Sequence, residues 1–487
     1  PDYTPYPYPH PRRVEANDGC LPHDSAQCLG GDVYWFDSCN LKGDVKEYCS
    51  ADETCLNGAC VDEPEPAGDV IHVENPGEHN DISPHIEEAW DQASPGDTIQ
   101  LPAGSFKLNG SVGLPAYMKP DIHVRGMGRD ENGTRLYRAV ETDKFMFTVH
   151  GGSELHEPIE ISDIWFQGMK TKLYEGDNGS DYGGFNGIQI YHSPFYIHDN
   201  RFEYLSNRGI DAGHPTGEGM GVISNNEFVQ CLAYDDTGSY GDAYSPGYGI
   251  GISGTADSWP PASPGTGDFM FIEDNSFRKI RVGVATGQGA LFVFRHNTCE
   301  DHLYSSSCVD MHPSTPAWST DQTASRLAEV YGNTFVAPSE GNPLYGDGGT
   351  HPLYGSGPRY ALSFRGGESV VHDNTFKDYP NYWMRLKFSY PYNDTFPAYP
   401  VPGQSGYESG IDYGKNHTGT DPATYGAGDV FISNNTHIHT DPGAVHVLSP
   451  VTYDGVEYDY LQEGRDYHFT PRPGYTPYTY PHPRRGQ

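Results

Sequence analysis

One short pattern recurs along the chain and restricts its fold more than any other feature. Asn200-Arg-Phe202, Asn226-Glu-Phe228, Asn275-Ser-Phe277, Asn297-Thr-Cys299, Asn333-Thr-Phe335, Asn374-Thr-Phe376 and Asn435-Thr-His437 share an asparagine followed two residues later by an aromatic or apolar side chain, with drift at Cys299 and His437. Successive asparagines are 26, 49, 22, 36, 41 and 61 residues apart. Most follow a strand-like stretch: Val222-Ile-Ser, Phe271-Ile-Glu, Phe292-Val-Phe-Arg, Val370-Val-His and Val430-Phe-Ile-Ser. A β-solenoid coil takes about 20–30 residues, and an insertion lengthens one loop without disturbing the stacked strands. Asparagine suits such a turn twice over. It tolerates left-handed backbone, and its amide can bond the asparagine one coil above, about 4.8 Å away. The phenylalanine two residues on is expected to point inward and stack likewise.

Composition narrows the partners. The 487 residues carry 30 Lys and Arg against 66 Asp and Glu, a formal charge of −36. That field repels nucleic acid and anionic membrane. It also disfavours anionic polysaccharides unless cations or a local basic patch intervene. Aromatics at 13% argue against disorder. No apolar run approaches the ~18 residues of a membrane helix. Residue 1 is Pro rather than Met, so the chain is expected to be processed or part of something longer.

Six cysteines fall within 41 residues: Cys20, Cys28, Cys39, Cys49, Cys55 and Cys60. That density is a disulfide scaffold and points to an oxidising, extracellular or cell-surface location. Their spacings contain no C-x2-C pair and no His is placed to complete a zinc set. The core Asp32-Val-Tyr-Trp-Phe-Asp-Ser-Cys39 and the ending Cys55-Leu-Asn-Gly-Ala-Cys60 resemble the short EGF-like modules of secreted proteins from myxobacteria and their relatives. Cys299 and Cys308, nine residues apart, can bridge a loop, which leaves Cys231 over or packed inward as a small apolar residue.

After the stiff acidic linker Asp62-Glu-Pro-Glu-Pro-Ala-Gly68 the chain reads as strands, with one exception. Ser83-Pro-His-Ile-Glu-Glu-Ala-Trp-Asp-Gln-Ala93 has a Ser cap, Pro in the first turn, and Ile86, Ala89, Trp90 and Ala93 on one helical face. Gly96-Asp-Thr-Ile-Gln-Leu-Pro-Ala-Gly-Ser-Phe106 follows, then Ile122-His-Val-Arg-Gly-Met-Gly128. This order resembles the opening of right-handed parallel β-helix proteins of the pectate-lyase-like superfamily. The resemblance implies an all-β right-handed solenoid whose first coil is plugged by the helix, with Thr98–Leu101 and Ile122–Val124 starting the stack.

The ends are near-duplicates. Tyr3-Thr-Pro-Tyr-Pro-Tyr-Pro-His-Pro-Arg-Arg13 recurs as Tyr475-Thr-Pro-Tyr-Thr-Tyr-Pro-His-Pro-Arg-Arg485, ten of eleven residues identical. The second copy resembles the Tyr-Pro-His-Pro tails that close many bacterial β-helix proteins. The organisation expected is an extended segment at 1–16, a six-cysteine module at 17–62, a linker at 63–68, a β-helix at 69–465 and a tail at 466–487. Tyr3, Tyr6, Tyr8, Arg12 and Arg13, and likewise Tyr475, Tyr478, Tyr480, Arg484 and Arg485, are expected to lie on an acidic, aromatic-lined surface of the same chain or a neighbour. Head-to-tail self-association, the tail of a preceding unit in a tandem array, and a passive polyproline linker are the alternatives.

Candidate catalytic side chains gather in a few places. If Asn275 and Asn297 occupy adjacent coils, Glu273 lies beside Arg295, and Lys279 beside Asp301. Arg281, His302, Asp310 and His312 are close in sequence, as are Asp235 and Asp236. Cleavage of a uronate by elimination needs a cation for the carboxylate, a base and an acid, and Lys, Arg and His on one strand face with a nearby Ca2+ would suffice. A hydrolase needs carboxylates across one cleft, which Asp235, Asp236 and Asp310 could supply. The same charges also read as ladders that stabilise parallel strands. The polygalacturonase set and the pectate-lyase Arg-x-Pro-x-x-Arg are absent, so the fold resemblance transfers no catalytic residue. Acidic loops at 177–181 and 234–242 are candidates for Ca2+, without EF-hand spacing. Two function classes follow: an extracellular structural or adhesive protein, such as a glycan-binding fibre subunit, and a secreted polysaccharide lyase or glycoside hydrolase. The duplicated ends and missing catalytic motifs favour the first.

Overall fold

The computed structural model describes residues 25–29, 32–36, 42–47, 53–56, 59–62, 68–114, 119, 121–138, 144–150, 158–168, 186–191, 193–213, 221–231, 247–254, 262–302, 307–312, 324–337, 360–387, 427–448, 450–453, 456–459 and 461–486. Two compact units result, one within 1–65 and one spanning 66–485. The first contains the antiparallel strands Ser25–Leu29, Asp32–Phe36 and Lys42–Glu47 and the hairpin Glu53–Leu56 with Ala59–Asp62. Val33 is buried there, and Lys46 lies over the Trp35 ring. Cys60 is disulfide-bonded. Cys20, Cys39 and Cys49, and the side chains of Cys28 and Cys55, lie outside the described residues.

The second unit is a right-handed parallel β-helix. Each coil visits a first sheet of 12 strands, then a second and a third of 10 each. The asparagines stand at the turn from first sheet to second and form one ladder. The Asn200 backbone N–H donates to Asn226 Oδ1 (2.9 Å), and its Nδ2 donates to the same oxygen and to the Ile161 and His198 carbonyls. Asn226 treats Asn275 likewise, and the pattern continues through Asn297, Asn333 and Asn374 to Asn435. The left-handed position is the residue before each asparagine, not the asparagine itself. Asp199, Asn225, Asp274, His296, Gly332, Asp373 and Asn434 have φ between 50° and 67°. Short polar residues and glycine tolerate this region best. The ladder asparagine needs ordinary backbone so that its amide can reach the next coil.

The phenylalanines stack inside. Phe166, Phe202, Phe228 and Phe277 lie 4.8–5.2 Å apart in one column, and Phe335 continues to Phe376 at 5.1 Å. Where the column carries Cys299, Phe294 of the first sheet bridges Phe277 and Phe335. Cys299 is bonded to Cys308, and Cys231 is a free thiol buried in the core. The helix Ser83–Gln92 buries Ile86, Ala89 and Trp90 in this same core, as its spacing predicts. Ser83 is not its cap. Ile82 holds that position, and Asp81 accepts from the Ser83 N–H and hydroxyl. The stack also begins earlier than predicted, with Val70–His72 pairing against Thr98–Gln100.

The tail lies on the outer face of the first sheet and crosses Gly367–His372, Leu327–Tyr331, Leu291–Arg295 and Met270–Glu273 in descending order. Arg472 pairs with Glu368 (3.1 Å), and the Tyr475 hydroxyl donates to Glu329 (2.5 Å). The Tyr480 hydroxyl donates to Asp274, and Arg485 pairs with both Glu273 and Asp274. Beneath it, Phe269, Phe271, Leu291, Val293, Leu327 and Tyr331 form a second apolar cluster against which Tyr478 packs. This cover explains why residues 291–294 are apolar on both faces, since a strand buried on both sides has no polar alternation.

Two fully buried charges meet at this junction. Arg295 reaches Glu273 (2.7 Å) and donates to the Tyr331 hydroxyl and to the carbonyls of Tyr478 and Thr479. Burial would raise the Glu273 carboxyl, but Arg295 and then Arg485 hold it below its ordinary value. His482 packs against Phe271 and Tyr478 and faces Glu273, Arg295, Arg484 and Arg485. Burial lowers its pKa to about 4, opposed by Glu273 and helped by the arginines.

Asn226→Ala or Asn275→Ala should destabilise the chain by about 1–3 kcal/mol, because neighbouring buried groups lose their partner. Asn132→Ala on an exposed turn should stay within about 0.5 kcal/mol. Denaturant unfolding distinguishes them, and equal effects would contradict the ladder's role. A released His482 takes up a proton near its ordinary pKa of 6.5, whereas the docked one does so near 4. Tail docking should therefore be fully stable above about pH 6.5 and weaken as pH falls towards 4. Hydrogen exchange across 475–485, corrected for intrinsic rates, should be faster at pH 5 than at pH 7.

Candidate active site

The outer face of the third sheet carries a second concentration of ionisable side chains, away from the tail. Parallel register places Gln189, Asp211, Gly251, Ala285, Asp310, Ser363, Arg385 and His446 in one row. Each strand turns alternate side chains outward, so such a row is a line of vertical neighbours. Gly251 and Ala285 are the small members of the row, and the Arg208 side chain lies against Gly251, where a Cβ would stand 3.2 Å from Arg208 Cδ. On one side Asp211 accepts from Arg208 and from the Tyr191 hydroxyl. On the other stands Asp310.

Asp310 accepts two hydrogen bonds from Arg365, at 3.0 and 2.7 Å. Such a fork fixes both side chains. His312 Nε2 lies 3.3 Å from Asp310 Oδ2, the oxygen that Arg365 Nη2 also meets. Tyr248 meets His312 edge-on at 6.3 Å, and Arg281 lies over the Tyr248 ring. One coil further, Arg385 donates to Ser363 Oγ and covers the Tyr360 ring. Lys387 ends the same strand. Arg208, Arg281, Arg365, Arg385 and Lys387 thus bring five cationic side chains to one face of a strongly acidic chain.

The environment assigns protonation states. Burial opposes ionisation of Asp310, but Arg365 and then His312 hold its carboxyl well below the usual range. Burial and the Arg365 guanidinium lower His312, which leaves a neutral imidazole at neutral pH. Burial, then Arg385 and Arg365, lower Lys387. Burial raises the Tyr248 phenol and keeps it protonated. The face therefore offers fixed cations, a neutral base and a hydroxyl acid. Among the described residues, Asp211 and Asp310 do not make a hydrolytic carboxylate pair. Asp211 and Asp310 are three strand spacings apart, about 14 Å, against the roughly 6.5–9.5 Å of an inverting pair.

The predicted residues divide accordingly. Arg281, Asp310 and His312 come together here. Arg295 belongs to the tail junction on the first sheet. His302 is fully buried and stacks on Tyr379. Lys279 is a turn residue at φ 55°, and Asp301 repeats it one coil on at φ 53°. Asp235, Asp236 and the acidic loops considered for Ca2+ lie outside the described residues, as do Tyr3, Tyr6, Tyr8, Arg12 and Arg13. Arg365, Arg385 and Lys387 were missed. The signal was available, because Arg365 follows Leu362–Phe364 as His312 follows Val309–Met311, but no asparagine marks this turn. Also missed were His123, Glu160 and His198 on the first sheet, whose ligand atoms lie within 4.8 Å of one another. That N/O set suits zinc rather than Ca2+. Here His198 instead bridges Glu160 (2.5 Å) and Asp199 (2.6 Å).

No helix among the described residues is long and apolar enough to cross a membrane. No protein-family model and no curated protein matches the chain. Solved structures with a similar course exist. The catalytic unit of the GH87 alpha-1,3-glucanase from Streptomyces thermodiastaticus strain HF3-3 is 13% identical with a TM-score of 0.44, over 87% of this chain and 70% of that one. DFA-IIIase from Arthrobacter chlorophenolicus A6 without its lid is 15% identical with a TM-score of 0.43, over 78% and 92%. ORF18 of Geobacillus virus E2 is 10% identical with a TM-score of 0.42, over 86% of this chain, which spans 66% of that protein's length. At these identities and scores none of them transfers a residue role.

His312 should titrate below free imidazole in 15N-histidine NMR, and Arg365→Met should move it upward by removing the nearest cation. An unchanged titration in the variant would contradict the assignment.

Proposed function

We propose that the chain is a secreted polysaccharide lyase acting on a uronate-containing glycan, with the third-sheet face as its active site. One observation carries this reading: Arg365 and Arg281 act on a neutral His312, and Arg385 and Lys387 follow on the same face two coils on, in a chain of net charge −36. This is the local basic patch that an anionic polysaccharide would require. Arg365 is held by Asp310, and Arg385 by Ser363, so both present charge without having to order themselves on binding. In the elimination, His312 takes the proton α to the uronate carboxylate while guanidinium groups neutralise the developing negative charge. The electron pair forms the carbon–carbon double bond, the glycosidic C–O bond breaks, and the leaving oxygen takes a proton from the Tyr248 hydroxyl. The disulfide-bonded Cys60 and the Cys299–Cys308 bond support export to an oxidising compartment.

A panel of uronate-containing polysaccharides should reveal one that yields 4,5-unsaturated products, seen by ultraviolet absorbance and mass spectrometry. His312→Ala should lower turnover by about 10²–10⁴-fold. Arg385→Ala should raise KM as well, since it also binds the ground state. Saturated products would mean hydrolysis, and no turnover on any member would overturn the reading.

A further inference from the structure

The groove under the tail has two candidate ligands in one chain. It is bounded by Phe271, Glu273, Asp274, Arg295 and Glu329, and residues 475–485 occupy it. Every side chain of that segment with a described groove contact recurs at the other end of the sequence. Tyr475, whose hydroxyl meets Glu329, corresponds to Tyr3. Tyr478, which packs on Phe271 at 5.2 Å, corresponds to Tyr6. Tyr480, which stacks on His296 at 3.8 Å and donates to Asp274, corresponds to Tyr8. His482 corresponds to His10, and Arg485 to Arg13.

The single difference is Pro7 in place of Thr479. Thr479 is exposed, and among the described residues its part in the groove is its carbonyl, which accepts from Arg295 (2.9 Å). Proline lacks the N–H but keeps the carbonyl, so the change removes no described groove contact. Arg295 reads only main-chain carbonyls, at Tyr478 and Thr479, and these are present in either copy. Gly265 flanks the segment, where a Cβ would fall 2.0 Å from the Thr476 carbonyl, and Thr4 repeats Thr476.

We propose that this groove is a peptide-recognition site whose second ligand is residues 3–13 of another copy of the chain, taken in exchange for the tail. The inference is independent of the glycan reading. Exchange replaces each contact with its like, so contact energy barely distinguishes the two ligands. The tether decides instead. A tail joined to its own groove acts at an effective concentration of order millimolar. The segment of another copy prevails only where copies are concentrated, held side by side, or have lost their tails. The relation it creates is head-to-tail and open, one groove and one donor per copy.

The test loosens the tail in the full chain with Tyr475→Ala, Tyr480→Ala and Arg485→Ala together, all remote from the third-sheet face. Labelled synthetic peptides of residues 1–13 and 473–485 are the probes, read by fluorescence anisotropy. Both should bind the loosened chain with Kd values within about tenfold of each other. Adding Asp274→Asn and Glu329→Gln should weaken both by at least about tenfold; asparagine keeps the left-handed backbone at 274. The loosened chain should form concentration-dependent oligomers in sedimentation, and deleting residues 1–13 should abolish them. If the triple variant does not fold, millimolar peptide 1–13 added to the unaltered chain should speed hydrogen exchange across 475–485. The proposal is overturned if peptide 473–485 binds and peptide 1–13 does not, if neither binds, or if peptide 1–13 ignores the groove substitutions. Oligomers that persist after deletion of residues 1–13, or unchanged exchange in the unaltered chain, overturn it equally.

Discussion

A single file of asparagine amides holds the coils in register. From Asn226 onward each carboxamide oxygen accepts from the backbone N–H and the amide of the asparagine one coil before it, and the amides of Asn200 through Asn333 also donate to carbonyls of their own and the preceding coil. An asparagine placed one residue off would leave several buried polar groups unpaired, so a slip in register is costly at every turn of the stack. The alternation of each strand follows from that alignment. Phenylalanines and isoleucines point inward to one continuous core, while the outward rows become lines of vertical neighbours. Insertions are absorbed in loops, which is why gaps of 22 and 61 residues produce equivalent turns.

With the interior set by one rule, the outer faces are free to specialise. The first sheet is partly an interior too, because the tail covers it. Phe271, Val293 and Tyr331 would be exposed apolar side chains without that cover. The buried Glu273–Arg295 pair depends on it as well. Desolvating two charges is costly, and their mutual attraction offsets the cost only when the remaining donors are satisfied. Here the tail carbonyls and Tyr331 take the remaining guanidinium hydrogens, and Arg485 attends to the carboxylate. The tail is thus a structural part of the upper coils, and a polar lock makes its seat specific rather than merely greasy. The third sheet carries the opposite kind of surface, with fixed cations and a neutral imidazole. Its character is set by pairing between adjacent coils, where Arg365 from one coil meets Asp310 from the one before.

The solenoid, its inward column and its capping helix were legible because they follow from repeated local rules. Asn-x-Phe marks a turn and the next inward position, and the face Ile86, Ala89, Trp90 marks a buried helix. Equal offsets from the asparagines also placed Glu273 beside Arg295. The cysteine pair at 299 and 308 and the inward thiol of Cys231 were readable from spacing and from the apolar strands around them. What escaped was any relation not measured from the ladder. The third sheet begins after a second turn of variable length, so offsets from the asparagine lose their meaning there. Arg365 and Arg385 therefore had no ladder offset to align them with Asp310. His302 did have one: it stands five residues after Asn297, as the buried Cys231 and Ile280 stand five after Asn226 and Asn275.

The sequence by itself thus determined the coil, because one-dimensional stacking makes each repeat answer only to its neighbours. It also determined that both ends carry the same ligand-like segment. Tertiary structure alone decided that Arg295 supports a tail rather than a substrate, and that Arg281, His312 and Arg365 share a face. Those outcomes depend on which of three sheets a side chain leaves from and on what covers that sheet. Neither is a local property of the chain: both follow from side chains as distant in sequence as Glu273 and Arg485 meeting only once the coils have stacked.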